Sequence, residues 1–138
     1  DTWSMTGGYT YAYSTNPDGS RFASTSPMQL ARFNTTWRHG RWMVGGGFSV
    51  QSEIYQMQPI PTGRYTAAGA PITATGKMRQ GGYVLFDLMG RYRITDNVSV
   101  GVTVTNLFDK VYYRNVGFFN SGYWGEPRRV LFNLRANF

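Results

Sequence analysis

The stretch Val130-Leu131-Phe132-Asn133-Leu134-Arg135-Ala136-Asn137-Phe138 closes the sequence, and its alternation decides the fold. Val130, Phe132, Leu134, Ala136 and Phe138 share one parity, and Leu131, Asn133, Arg135 and Asn137 share the other. Successive side chains of a strand point to opposite faces, so one side here is oily and the other largely polar. An apolar face towards lipid, a polar face towards a lumen and an aromatic residue at the water boundary describe a strand of a membrane β-barrel. A mean hydropathy of -0.37 conceals this, because the two faces cancel.

Working back from the end, five more segments carry the same period. Residues 98–108 set Val98, Val100, Val102 and Val104 against Ser99, Gly101, Thr103 and Thr105. Residues 83–94 set Val84, Phe86, Leu88, Gly90, Tyr92 and Ile94 against Leu85, Asp87, Met89, Arg91 and Arg93. Residues 41–55, 29–38 and 3–13 repeat it, and the segment 41–55 would carry Glu53 on its polar face. The links alternate in length. His39-Gly40 and Thr95-Asp96-Asn97 are tight; the links around Asn16-Pro17-Asp18-Gly19, over 56–79 and over 109–124 are long and rich in turn residues. Outer-membrane barrels have short periplasmic turns and long external loops. A periplasmic C-terminus then gathers Trp3, Trp37, Trp42, Tyr92 and Phe138 at the periplasmic ends of the lipid faces, where an interfacial aromatic girdle belongs. The expected fold is all-β, an antiparallel transmembrane β-barrel of which residues 1–138 supply six strands. Single-chain barrels need about eight strands or more, and an open edge in lipid leaves backbone groups unpaired. The chain therefore reads as one segment of a larger barrel.

Composition removes other classes. The chain has no cysteine, so disulfides, thiolate metal sites and Cys nucleophiles are excluded together. No apolar run approaches the length of a membrane helix, and no export signal opens at Asp1, as expected of a mature product or a fragment. The net charge of +7 is spread from Arg21 to Arg135 rather than gathered, which argues against nucleic acid. His39, the single histidine, falls in a tight turn as a solvated residue, without the partners a metal site or a nucleophile–base pair requires. Gly45-Gly46-Gly47 lies inside a strand, which suggests close packing or a bulge rather than a phosphate loop. Asn106 and Asp109 have the side chains to satisfy backbone groups where a strand leaves the membrane, and Pro127 suits the first residues of a strand.

Two stretches carry a family resemblance. Val104-Thr105-Asn106-Leu107-Phe108-Asp109-Lys110-Val111-Tyr112-Tyr113 resembles a segment near the end of TonB-dependent outer-membrane receptors. Gly122-Tyr123-Trp124-Gly125-Glu126-Pro127-Arg128, with the final strand, resembles the terminus of their ferric-siderophore branch, near the hydroxamate and pyoverdine receptors. Trp124 replaces the Tyr usual there. Gly81-Gly82-Tyr83, Asp87-Leu88 and Arg91-Tyr92-Arg93 are similar to the preceding strand of that group. The resemblance implies the last six strands of a 22-stranded plugged barrel, with the plug and upstream strands absent. It implies a receptor, not an enzyme. Such a receptor binds a ferric siderophore outside and passes it inward when coupled to the TonB system through an N-terminal segment not present here. The chelate brings its own oxygen ligands to iron, so no cofactor or protein metal site is implied. Tyr112, Tyr113, Phe118, Phe119, Tyr123 and Trp124, in or beside the last external loop, become the candidate ligand contacts. Arg32, Glu53, Asp87, Arg91, Arg93 and Arg135 become the plug-facing lumenal set, with Asp87 in a salt-bridge network with Arg91 and Arg93. The alternative is a small outer-membrane barrel enzyme or an adhesin-like barrel assembled from several copies. A soluble β-sandwich fails on the girdle and the one-sided oily faces.

Overall fold

The computed structural model describes residues 2–118 and 121–137. They form β1 (Thr2–Tyr11), β2 (Gln29–His39), β3 (Trp42–Gln51), β4 (Ile54–Tyr65), β5 (Pro71–Gln80), β6 (Tyr83–Arg93), β7 (Val98–Thr105), β8 (Tyr113–Phe118), β9 (Ser121–Trp124) and β10 (Arg129–Ala136). The main sheet has the order β1-β2-β3-β6-β7-β10, antiparallel throughout, and every ladder in it runs without a register shift. The links over 56–79 and 109–124 are corrected: they fold into two further hairpins, β4–β5 and β8–β9. Their prolines, glycines and threonines read as loop because a ribbon standing clear of lipid has no need of one apolar face. The strand read over 41–55 ends at Gln51, where Ser52 turns back to bond Gln29 through both its backbone N–H and its hydroxyl. Glu53 accordingly lies in the β3–β4 link and not on a sheet face. The final residue, Phe138, lies outside the described residues.

The distribution of exposure inverts that of a soluble domain. On β6 the apolar Val84, Phe86 and Leu88 are 40%, 40% and 46% exposed, while Leu85, Asp87 and Met89 between them are half-buried. Phe132 and Leu134 on β10 reach 78% and 71%. Register puts Val100 opposite both Tyr92 and Leu134, and Val102 opposite Gly90 and Phe132, so this oily surface is continuous across strands. Water would charge roughly 1.5–3 kcal/mol for each such side chain left out; hydrocarbon charges nothing. The sheet is a single layer that shelters its polar side.

Aromatic rows cross the oily face. Phe33, Phe48 and Phe86 are direct cross-strand neighbours, with ring centroids 5.7 and 6.1 Å apart, and Phe108 meets Phe86 edge-on at 5.3 Å. At the end of the tight turns, Trp3 pairs with Trp37 and Trp42 with Tyr92, the latter 4.5 Å between centroids. His39 is not merely solvated: its ring lies parallel to Trp37 at 5.4 Å. Gly40, with φ 55°, provides the positive φ that the two-residue β2–β3 hairpin requires.

At the opposite end the two added hairpins pack on one another. Ile54 and Val116, each 1% exposed, are buried here and not in the main sheet. The long loop over 12–28 is closed at its tip by Asp18, which accepts the Ser20 hydroxyl and N–H. Those bonds hold the Asp18 carboxyl below the usual carboxylate range.

Of the three central glycines, Gly45 and Gly47 are set by close packing, and β3 carries no bulge there. A Cβ on Gly45 would lie 2.8 Å from the Thr35 carbonyl, and one on Gly47 would lie 2.5 Å from the Phe33 carbonyl and against the Asn34 amide. Backbone cannot step aside as a side-chain end can. At Gly90 the nearest atom is 3.8 Å away. We expect Gly47→Ala to cost the intact barrel about 1–3 kcal/mol, and Gly90→Ala to be neutral, in urea unfolding from detergent micelles; equal loss at both would refute the packing explanation.

Candidate ligand-binding site

β7 stops at Thr105 because Asn106 adopts φ 51°, a conformation Asn tolerates better than most residues. Asn106 is 5% exposed and its polar groups are used throughout. Its backbone N–H donates to Asp87 Oδ1 at 3.0 Å; its Oδ1 accepts the Lys110 N–H at 2.8 Å; its Nδ2 donates to the Lys110 and Glu126 carbonyls at 2.9 and 3.0 Å. Asp109, with φ 53°, accepts the Arg128 N–H at 2.8 Å. The β7–β10 ladder begins with Thr105 opposite Arg129. Side chains thus continue the pairing beyond the last ladder rung, and they fix where the β8–β9 hairpin starts and returns.

That hairpin helps enclose a cavity of about 450 Å³ on the polar face. Arg32, Gln51, Tyr83 and Asp87 supply its sheet side, and Tyr112, Arg114 and Glu126 reach it from the hairpin region. Tyr112, 9% exposed, packs against Tyr83 with ring centroids 4.4 Å apart and planes tilted by 39°, and it occupies the space a Cβ on Gly125 would need. Glu126 lies 3.7 Å from Arg129. Neither Arg32 nor Arg114 pairs with a carboxylate among the described residues. A second hollow, of about 580 Å³, has Arg114 in its wall too, with Thr25, Ser26, Asn115, Tyr123 and Trp124. The arrangement offers two guanidiniums outside ion-pair distance of a carboxylate among the described residues, the Asp87 and Glu126 carboxylates in the same wall, two phenol rings and amide groups. It is a mixed polar and aromatic surface suited to a ligand with hydrogen-bonding groups and flat apolar parts.

The candidate residues divide accordingly. Arg32, Asp87 and Tyr112 meet at the first hollow; Tyr123 and Trp124 line the second. Tyr113 stacks on Trp124 at 4.1 Å, and its N–H donates to Gln80 Oε1 at the end of β5. Phe118 ends β8, and Phe119 lies outside the described residues. The expected Asp87–Arg91–Arg93 network does not form. Four residues along a strand span about 13 Å, and Asp87 instead binds the Asn106 backbone. Arg91 faces Gly101, while Arg93 and Arg135 flank Ser99 from either side, near the tight turns. Glu53 pairs with Arg79 at 2.6 Å in the β4–β5 region, away from that set. Sequence reading missed Arg114, Tyr83, Gln51 and Glu126. The parity of Tyr83 and Gln51 was legible; nothing in the sequence shows that β8 turns back over the sheet.

With this geometry in hand, comparison with known proteins is informative. The family model described as TonB dependent receptor-like, beta-barrel matches residues 1–107. The chain belongs to this family. It is 33% identical over 99% of its length to the Ferripyoverdine receptor of Pseudomonas aeruginosa, and 30% identical over 99% to the Ferric-pyoverdine 358 receptor of Pseudomonas putida. It spans 16% and 15% of those two receptors. The crystal structure of the P. aeruginosa outer-membrane receptor bound to ferripyoverdine superposes on 99% of the chain with a TM-score of 0.85 at 34% identity, covering 17% of that structure. The ferric-catecholate import receptor Fiu of E. coli, at 21% identity and a TM-score of 0.73, shares the fold. As a member of this receptor family, the chain is an outer-membrane β-barrel segment.

The Asn106 knot generates a test in the intact receptor. Asn106→Gly keeps the backbone conformation and removes three side-chain bonds; Asn106→Ala loses both. We expect each to speed proteolysis within residues 109–128, and Ala to cost about 2–4 kcal/mol. Wild-type protection of the Lys110 amide in hydrogen exchange by the Ala variant would contradict the assignment.

Proposed function

We propose that this chain is the C-terminal part of an outer-membrane receptor that takes up ferric siderophores in a TonB-dependent manner. The observation that carries the reading is the similarity to ferripyoverdine receptors along 99% of the chain, both in sequence and in structure. In this reading the six sheet strands are the last of a 22-stranded barrel, the tight turns and the C-terminus face the periplasm, and the polar face meets a plug. Arg91, Arg93 and Arg135, near the turn end, face the plug; the hollows at the loop end face outside. Iron arrives as cargo inside its chelate, so the receptor needs walls and hydrogen bonds and not metal ligands. Among the described residues no cluster of three potential ligands occurs, and the proposal asks for none. An anionic chelate would meet Arg32 and Arg114 and stack against Tyr112, Tyr123 or Trp124. A small barrel assembled from copies has no observation in its favour, since each relative continues far beyond the matched part.

The test uses the full-length receptor in cells lacking other ferric-siderophore receptors, with a panel of ferripyoverdines and ferric hydroxamates. We expect iron uptake from at least one member of the panel, dependent on the TonB system. Removing a charged hydrogen-bond partner costs about 1.5–3 kcal/mol, so Arg32→Gln and Arg114→Gln should each weaken binding about ten-fold or more, at unchanged surface expression. No uptake from any chelate would overturn the function; uptake with unaltered affinity in both variants would overturn the site alone.

A further inference from the structure

The β4–β5 ribbon stands outside the main sheet, and its two edges are unlike. Pro59 is opposite Thr75 and Pro61 opposite Thr73. Proline has no N–H, so neither pair can be the kind that exchanges two hydrogen bonds; both are the alternate kind, whose backbone groups point away from the partner strand. Parity then turns residues 55, 57, 59 and 61 outward on β4, and residues 73, 75, 77 and 79 outward on β5. One bond checks this assignment independently: the Tyr55 N–H leaves the ribbon and donates to the Ser24 carbonyl at 2.9 Å. The β4 edge is therefore closed, by the loop over 12–28 at its base and by two prolines without donors above. The β5 edge has no such protection: Thr73, Thr75 and Lys77 keep outward N–H and C=O groups, with no further strand beside them among the described residues.

The chemistry of that edge is one-sided. Residues 54–80 contain Arg64, Lys77 and Arg79 and no Asp or Glu. Lys77 lies over the Tyr55 ring at 3.9 Å, and Glu53 at the base reaches Arg79. We infer that the β5 edge is a docking site for an extended acidic segment of a partner protein, added to the ribbon as a third strand. Main-chain bonds to Thr73, Thr75 and Lys77 would hold the segment, and an acidic side chain would fall beside Lys77, Arg79 being already paired with Glu53. A second copy of this chain fits poorly, because it would bring one cationic edge against another.

The experiment uses the full-length receptor in detergent and two synthetic ten-residue peptides, one alternating Glu with Thr and one alternating Lys with Thr. Thr75→Pro removes one outward donor and, like Pro59 opposite it, leaves the ribbon's own ladder intact; Thr75→Val changes the side chain alone. We expect saturable binding of the Glu peptide, at least ten-fold weaker in Thr75→Pro and unchanged in Thr75→Val. Exchange protection of the Ala74 and Gly76 amides reports whether the ribbon survives. Should proline disrupt it, Lys77→Glu serves instead, and is expected to weaken the Glu peptide and favour the Lys peptide. No saturable binding, equal binding of both peptides, or full binding by Thr75→Pro with the ribbon intact would overturn the inference. Cross-linking of two receptors through this edge would overturn the acidic partner in favour of a second copy.

Discussion

Hydrocarbon offers no hydrogen-bond partner, and every other feature of this chain follows from that constraint. Backbone groups within the membrane must pair with backbone groups on both sides, which leaves a sheet as the only spanning form for segments of eight to eleven residues. The ladders of the main sheet run without a bulge for the same reason. The glycines of β3 let neighbouring carbonyls come close enough for that regularity to hold. Where β7 reaches the end of its ladder, Asn106 and Asp109 take over the pairing with side-chain groups. That substitution gives physical content to the stretch around Asn106: it ties the exit of β7 to the start of β10.

The two ends of the sheet consequently do different work. At the turn end the links are minimal, and Trp3, Trp37, Trp42 and Tyr92 ring the oily face. At the loop end the chain is released from the demands of lipid, and it builds ribbons with a small core of their own around Ile54 and Val116. Of the two ribbons, β8–β9 borders the hollow over the polar face and, with the loop over 12–28, lines the second one. Rigid placement of the walls comes from the sheet; chemical variety comes from the hairpins. Arg114 illustrates the division, since it stands on β8 yet borders both hollows.

How much of this was legible follows from the same division. The six strands of the main sheet could be read because lipid imposes strict alternation, and the girdle could be read because interfacial rings mark its level. The β4–β5 ribbon could not, since Pro59, Pro61 and its threonines serve an edge in water and carry no lipid face. Glu53 was misplaced because its parity continues that of β3, while the chain turns at Ser52 through bonds the sequence does not display. Asp87 was expected among arginines of its own strand; its partner is the backbone of Asn106, the residue that follows β7. Local periodicity finds strands well and cross-strand polar partners badly, because the latter depend on register and on where a loop turns back.

The central claim is that Val84, Phe86 and Leu88 face lipid while Leu85, Asp87 and Met89 face the lumen. Single cysteines at these six positions, in a cysteine-free full-length receptor reconstituted in bilayers, carry a fluorophore that lipid-borne nitroxides quench on contact. The account predicts strong quenching at 84, 86 and 88 and weak quenching at 85, 87 and 89. Uniform quenching along β6, or quenching by a water-soluble agent at the apolar positions, would contradict it.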